Sequence, residues 1–115
     1  MQDYQMYIDG KWCDAESGER FPSANPYTGL DWARFPKASA SDVDRAVQAA
    51  HMAFTEGDWP RWTASARGAA LVRLAGLITE NSDKLAEIEV RDNGKLFAEM
   101  SNQCRYMANW YAYYG

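Results

Sequence analysis

The hydrophobic pattern of this chain changes period once, at Ser39-Ala40-Ser41-Asp42, and that switch limits the folds open to it. Before it, turn residues recur too often for any helix to grow. Tyr7-Ile8-Asp9-Gly10-Lys11-Trp12 sets an Asp-Gly pair between strand-favouring residues, which predicts a β-hairpin closed by a two-residue type I′ turn. Ser17-Gly18 reads as a second turn, and Arg20 to Ala24 as a further strand stopped by Asn25-Pro26-Tyr27-Thr28-Gly29. A short extended piece, Asp31 to Phe35, leads to Pro36.

Beyond the switch the spacing is helical. Ser39 with Asp42 forms a capping box, whose hydroxyl and carboxylate satisfy backbone N–H groups that the first turn leaves unpaired, so a helix starts near Ala40. Val43, Ala46, Val47, Ala50 and Phe54 give it one apolar stripe, and Gly57 ends the run. A second helix is expected from about Ala64 to Glu80, with Leu71, Leu74, Ala75 and Ile78 turned inward, broken or re-capped at Asn81-Ser82. The third, Asp83 to about Asp92, shows Leu85 and Ile88, and Asn93-Gly94 supplies a left-handed closing residue. From Leu96 to the end, Phe97, Met100, Cys104, Met107, Tyr111 and Tyr114 form a heptad-like seam, with Tyr106, Trp110 and Tyr113 off it. A helix apolar on more than one face expects burial on several sides.

At 115 residues the length allows one domain at most. Twelve Lys+Arg against sixteen Asp+Glu leave a net charge of −4, whereas a nucleic-acid binder needs a basic face. No apolar run approaches the roughly 18 residues of a membrane span, and Met1-Gln2-Asp3-Tyr4 lacks the basic start of a secretory signal, so a cytoplasmic protein is expected. Aromatics are dense, with 5 Trp, 7 Tyr and 4 Phe, and crowd the last helix. That crowding points to a face meant for something larger.

Few residues offer chemistry. His51, the single histidine, has no second imidazole beside it for a metal and reads as a surface or half-buried helix residue. Cys104 falls on the apolar seam, where a thiol behaves as a small hydrophobe. Cys13 sits on the far arm of the hairpin, and both cysteines read as free thiols. Neither a glycine-rich phosphate cradle nor a nucleophile elbow is present. Asp92 stands apart: a carboxylate at a helix C-terminus meets the negative end of the macrodipole. Arg91, Lys95 or a bound cation could offset it.

Five segments in register then point to a family. Tyr7 to Trp12, Asn25 to Gly29, Ser41 to Ala50 with Ala53-Phe54, Trp59 with Arg67, and Asp92-Asn93-Gly94-Lys95 together resemble the N-terminal part of the NAD(P)-dependent aldehyde dehydrogenase superfamily. The resemblance spans nearly the whole chain and implies a longer parent with a Rossmann-like α/β coenzyme domain. Residues 1–38 would supply hairpins and extended segments and residues 39–115 about four helices, while catalytic and oligomerisation domains would lie beyond. Family members oxidise an aldehyde through a cysteine thiolate, pass hydride to NAD or NADP, and hydrolyse the thioester with a glutamate as base. Neither of those residues falls within the matched positions, so this chain has no catalytic or coenzyme-binding residue of its own and is expected to be inactive alone.

Two roles do carry over. The resemblance implies a structural monovalent or divalent cation held by main-chain oxygens of Ser23 and Ala24 and by the Asp92 carboxylate. It also implies that Asn102 and Tyr106 face the tunnel by which aldehyde reaches the cysteine. The partners it implies are a small-molecule aldehyde, the remainder of the subunit and further copies in a dimer or tetramer, with no nucleic acid or membrane. The competing reading is a small non-enzymatic α+β module that docks a protein through its aromatic last helix.

Overall fold

Two adjacent residues with positive φ, Asp9 at 51° and Gly10 at 73°, close the first hairpin of the computed structural model, which describes residues 1–115. That backbone is the type I′ turn expected of Asp-Gly, and its twist matches that of the strands it joins. Strand β2 (Met6–Ile8) pairs antiparallel with β3 (Lys11–Cys13), Ile8 opposite Lys11. The chain divides into two compact units, Met1–Arg61 and Trp62–Gly115. The first helix groups with the strands, not with the other helices.

In the first unit a second sheet has the order β1-β5-β4, built from β1 (Gln2–Asp3), β4 (Arg20–Ala24) and β5 (Asp31–Pro36). Strand β1 runs parallel to β5 and β4 antiparallel to it. Register partners Asp3 and Arg34 also join through side chains: Nε and Nη2 of Arg34 donate to the two carboxylate oxygens at 2.8 and 2.7 Å. The Arg34 hydrogen bond holds the Asp3 carboxyl below its usual range. Because both side chains are nearly half exposed, the pair fixes register more than it adds stability. Tyr4 stacks on Phe35 at 5.0 Å and meets Trp32 edge-on at 5.9 Å. These half-buried rings and the buried Ala33 and Ala15 take the place of a large aliphatic core.

Helix α1 (Ala40–Thr55) begins with the full capping box. Its inward face is Asp42, Ala46 and Ala49. The stripe expected to be buried instead faces out: Val47 is 62% and Phe54 72% exposed. Period alone cannot say which of two offset faces the strands will cover, and small alanines allow α1 close to them. A 3-10 turn, Trp59–Arg61, ends this unit.

The second unit is three helices: α2 (Ala64–Glu80), α3 (Ser82–Asn93) and α4 (Phe97–Tyr114). Asn81 ends α2 and begins α3 without an intervening loop. Gly94, at φ 74°, closes α3. Helix α4 packs on both α2 and α3. Gly68 of α2 meets Gly115 so closely that a methyl group on Gly68 would stand 2.3 Å from the Gly115 carbonyl oxygen. Ala75 and Ala108, each seven residues from that contact, are also buried. On the other side Ala86, Met100 and Cys104 form a core cluster with Val90 against it.

This core departs from the expected seam. Met100 and Cys104 are inside, but Ala108 replaces Met107, and Phe97 and Tyr114 are exposed. Likewise α3 turns Ser82, Ala86 and Val90 inward, while Leu85 is exposed and Ile88 half-buried. The inward residues step by four and most are small, the pattern of short straight helices meeting along ridges spaced four apart. A 3.5-residue seam needs a longer supercoil.

Candidate functional site

Three places in the chain combine polar groups with defined geometry. Asp42, 1% exposed, is the most buried charge. Its carboxylate accepts from the Ser39 N–H at 2.9 Å, the Glu16 N–H at 3.2 Å, the Ser39 hydroxyl and the Arg45 guanidinium. The Ser39 backbone hydrogen bond, aided by Arg45 and Glu16, lowers its pKa to about 2 against the opposing effect of burial. A carboxylate this fully engaged binds its own chain and has little left for a ligand. It staples the loop at Ala15–Glu16 to the start of α1.

The second place is a cleft of about 440 Å³ between the first hairpin and α1, lined by Lys11, Cys13, Arg45, Gln48 and Met52 among others. Cys13 is half-buried there and free, as expected. Cys104, the other free thiol, is buried in the α3–α4 core, and burial, followed by the Glu89 charge, raises its pKa. A thiol held protonated is a poor nucleophile. His51 is exposed on α1. No three His, Cys, Asp or Glu residues gather as a metal site.

The third place is the outer face of α4. Asn102 and Tyr106 stand one turn apart and both are exposed. Tyr106 meets Trp110 edge-on at 6.0 Å, and Tyr106, Asn109, Trp110 and Tyr113 line a mostly apolar groove of about 220 Å³. The two predicted tunnel residues therefore share a face that continues into this groove. The predicted cation ligands are divided. Ser23 and Ala24 lie in the first unit, at the point where β4 loses its regular register against β5, and Asp92 lies in the last turn of α3 in the second.

Two clasps escaped the sequence reading. Ser101 Oγ and the Arg105 guanidinium both converge on Asp83 Oδ1, at 2.8 and 2.9 Å, tying α4 to the start of α3. The sequence marks Asp42 as a cap, but its reach to Glu16, 26 residues away, has no local signal. Only a pattern across two elements would have exposed either one.

Comparison with known proteins follows the same lines. The model of the aldehyde dehydrogenase family matches residues 12–115. The (Z)-2-((N-methylformamido)methylene)-5-hydroxybutyrolactone dehydrogenase of Acinetobacter baylyi is 44% identical over 114 residues, covering 99% of this chain and 23% of that protein. The 3-sulfolactaldehyde dehydrogenase of Pseudomonas putida is 44% identical over 83% of this chain and 19% of its own length. Among solved structures, an NAD-dependent aldehyde dehydrogenase from Sinorhizobium meliloti superposes with a TM-score of 0.93 at 37% identity, over 96% of this chain and 22% of that one. The chain thus spans about a fifth of the length of the relatives it matches. Strands followed by four helices, in the order and geometry of these enzymes, fit an α/β segment. On the match of sequence and fold together, the chain belongs to the aldehyde dehydrogenase family.

Proposed function

We propose that this chain forms the opening part of the coenzyme-binding domain of an NAD(P)-dependent enzyme that oxidises an aldehyde to a carboxylic acid. One observation carries the reading: the family match covers residues 12 to 115. Bound NAD(P)+ would accept the hydride. The chain's own residues contribute scaffold: the Asp42 staple and the α2–α4 contact hold elements on which the rest of a subunit can be laid. Cys104, buried and protonated, takes no part in acyl chemistry. The same reading implies a cytoplasmic homo-oligomer acting on a small aldehyde, without nucleic acid or membrane. A chimera tests it: residues 12–115 replace the matching segment of the Sinorhizobium meliloti enzyme, and aldehyde-dependent NADH formation is followed. Activity is expected from the chimera and none from the 115-residue chain alone. A folded chimera with no activity, or an active isolated chain, would overturn it.

Two finer roles belong to this reading. A structural monovalent or divalent cation would take the main-chain carbonyls of Ser23 and Ala24 and the Asp92 carboxylate. The donor chemistry supports it, since hard cations prefer oxygen, and a carboxylate at the negative end of α3 gains from a positive partner. Rubidium soaked into crystals of the chimera should give an anomalous peak beside Asp92, and its absence refutes the site. Asn102 and Tyr106 would line the aldehyde path, supported by their shared exposed face and the apolar groove next to it. In the chimera Tyr106→Ala should re-rank aryl and short aliphatic aldehydes by kcat/KM; an unchanged ranking counts against it.

A further inference from the structure

Asn93 and Gly94 form the dipeptide in which a side-chain amide is most easily lost, because no Cβ on the glycine obstructs its backbone nitrogen. Both residues are exposed to water. Both reacting groups are nevertheless engaged. The Gly94 N–H donates to the Val90 carbonyl at 2.9 Å, the hydrogen bond that closes α3. At the Asn93 carboxamide, Nδ2 donates to Glu89 Oε2 at 2.6 Å and Oδ1 accepts from the Lys95 N–H at 2.9 Å. Nucleophile and electrophile are held by three separate contacts, all within the last turn of α3 and its exit.

We propose that Asn93 is a latent deamidation site, silent while the last turn of α3 is closed and reactive when it opens. In the open turn the Gly94 nitrogen gives up its proton to solvent base and bonds to Asn93 Cγ. The Cγ–Nδ2 bond breaks, and the nitrogen leaves as ammonia. Water then adds to the five-membered imide at either carbonyl, giving aspartate or isoaspartate with no change of oxidation state. The product places a second carboxylate beside Asp92 at the negative end of the helix dipole, where it is disfavoured. Isoaspartate adds a methylene to the backbone where α3 hands over to α4. Modification is thus irreversible and records how often this turn opens.

The test is incubation of the full chain in mildly alkaline buffer, with peptide mapping by mass spectrometry for the amide-to-acid mass gain at Asn93. The same chain unfolded in urea should react much faster than the native one. Glu89→Ala, which removes an exposed contact four residues away, should speed the native reaction about one-and-a-half- to twofold. Glu89→Gln, which keeps a weaker acceptor, should fall between. Exchange of the Gly94 amide proton should rise in the same order. Equal rates in native and urea-unfolded chain overturn the proposal. So does a folded Glu89→Gln whose rate stays at the native value while its Gly94 exchange rises.

Discussion

Met100 and Met107 occupy equivalent places in the heptad-like seam, yet the structure treats them differently: Met100 is 2% exposed and Met107 43%. Truncating Met100 to alanine removes three side-chain atoms from the cluster of Ala86, Cys104 and Val90. At about 0.8 kcal/mol per methylene-sized group, lost burial costs about 2.4 kcal/mol. The vacated space of roughly 70 Å³, at about 24 cal/mol per Å³, adds up to about 1.7 kcal/mol if nothing collapses into it. Its neighbours Ala86 and Cys104 are too short to swing inward, so relaxation must come from helix movement and will be partial. The expected loss for Met100→Ala is therefore about 2.4 to 4 kcal/mol. Met107→Ala should cost under about 1 kcal/mol, since its side chain is already partly in water. Urea titration followed by helical circular dichroism, with m-values compared, gives both numbers. Equal losses, or a larger loss at Met107, would refute the four-residue core and restore the seam.

Two further outcomes follow, one from the Asp42 staple and one from the α2–α4 contact. The folded pKa of Asp42, about 2, lies below its ordinary 3.8, so its carboxylate stabilises the fold fully above about pH 4 and the contribution fades as pH falls towards 2. Asp42→Asn should flatten that acid limb of a stability–pH curve, and an unchanged limb would show that the staple is not coupled to folding. Gly68→Ala forces a methyl group against the Gly115 carbonyl and should lower Tm through a loss of about 1–3 kcal/mol; a variant with native Tm would mean that the end of α4 yields freely.

Local chemistry was legible wherever one short segment determines its own backbone. Asp9-Gly10, Ser39 with Asp42, Asn81 and Gly94 all sit where turn and cap logic put them, and β4 and α2 have the expected bounds. What the sequence hid was choice among faces. On α1 the stripe Val43–Val47–Phe54 is the more apolar, but the side carrying Asp42 and Ala49 wins because Asp42 is anchored from Glu16. Strand β1 has only two residues and owes its existence to pairing with β5. Its Asp3–Arg34 partnership spans 31 positions, beyond any periodic signal. Among site residues, Asn102 and Tyr106 share one exposed face of α4, because i and i+4 lie on the same side of a helix. The groove beyond them depends on how three aromatic side chains settle, which no spacing encodes.

The joint at Asn81 makes chain length, more than residue identity, the inherited quantity in the second unit. Its backbone N–H bonds to the Leu77 carbonyl and its own carbonyl accepts from Leu85, so one residue serves two helices. Inserting a single residue there would rotate all of α3 by about 100°. Ser82, Ala86 and Val90 would leave α4 together, as though every inward position had been replaced at once. Substitutions at this joint can drift one at a time, whereas insertions and deletions face the whole helix as a single target.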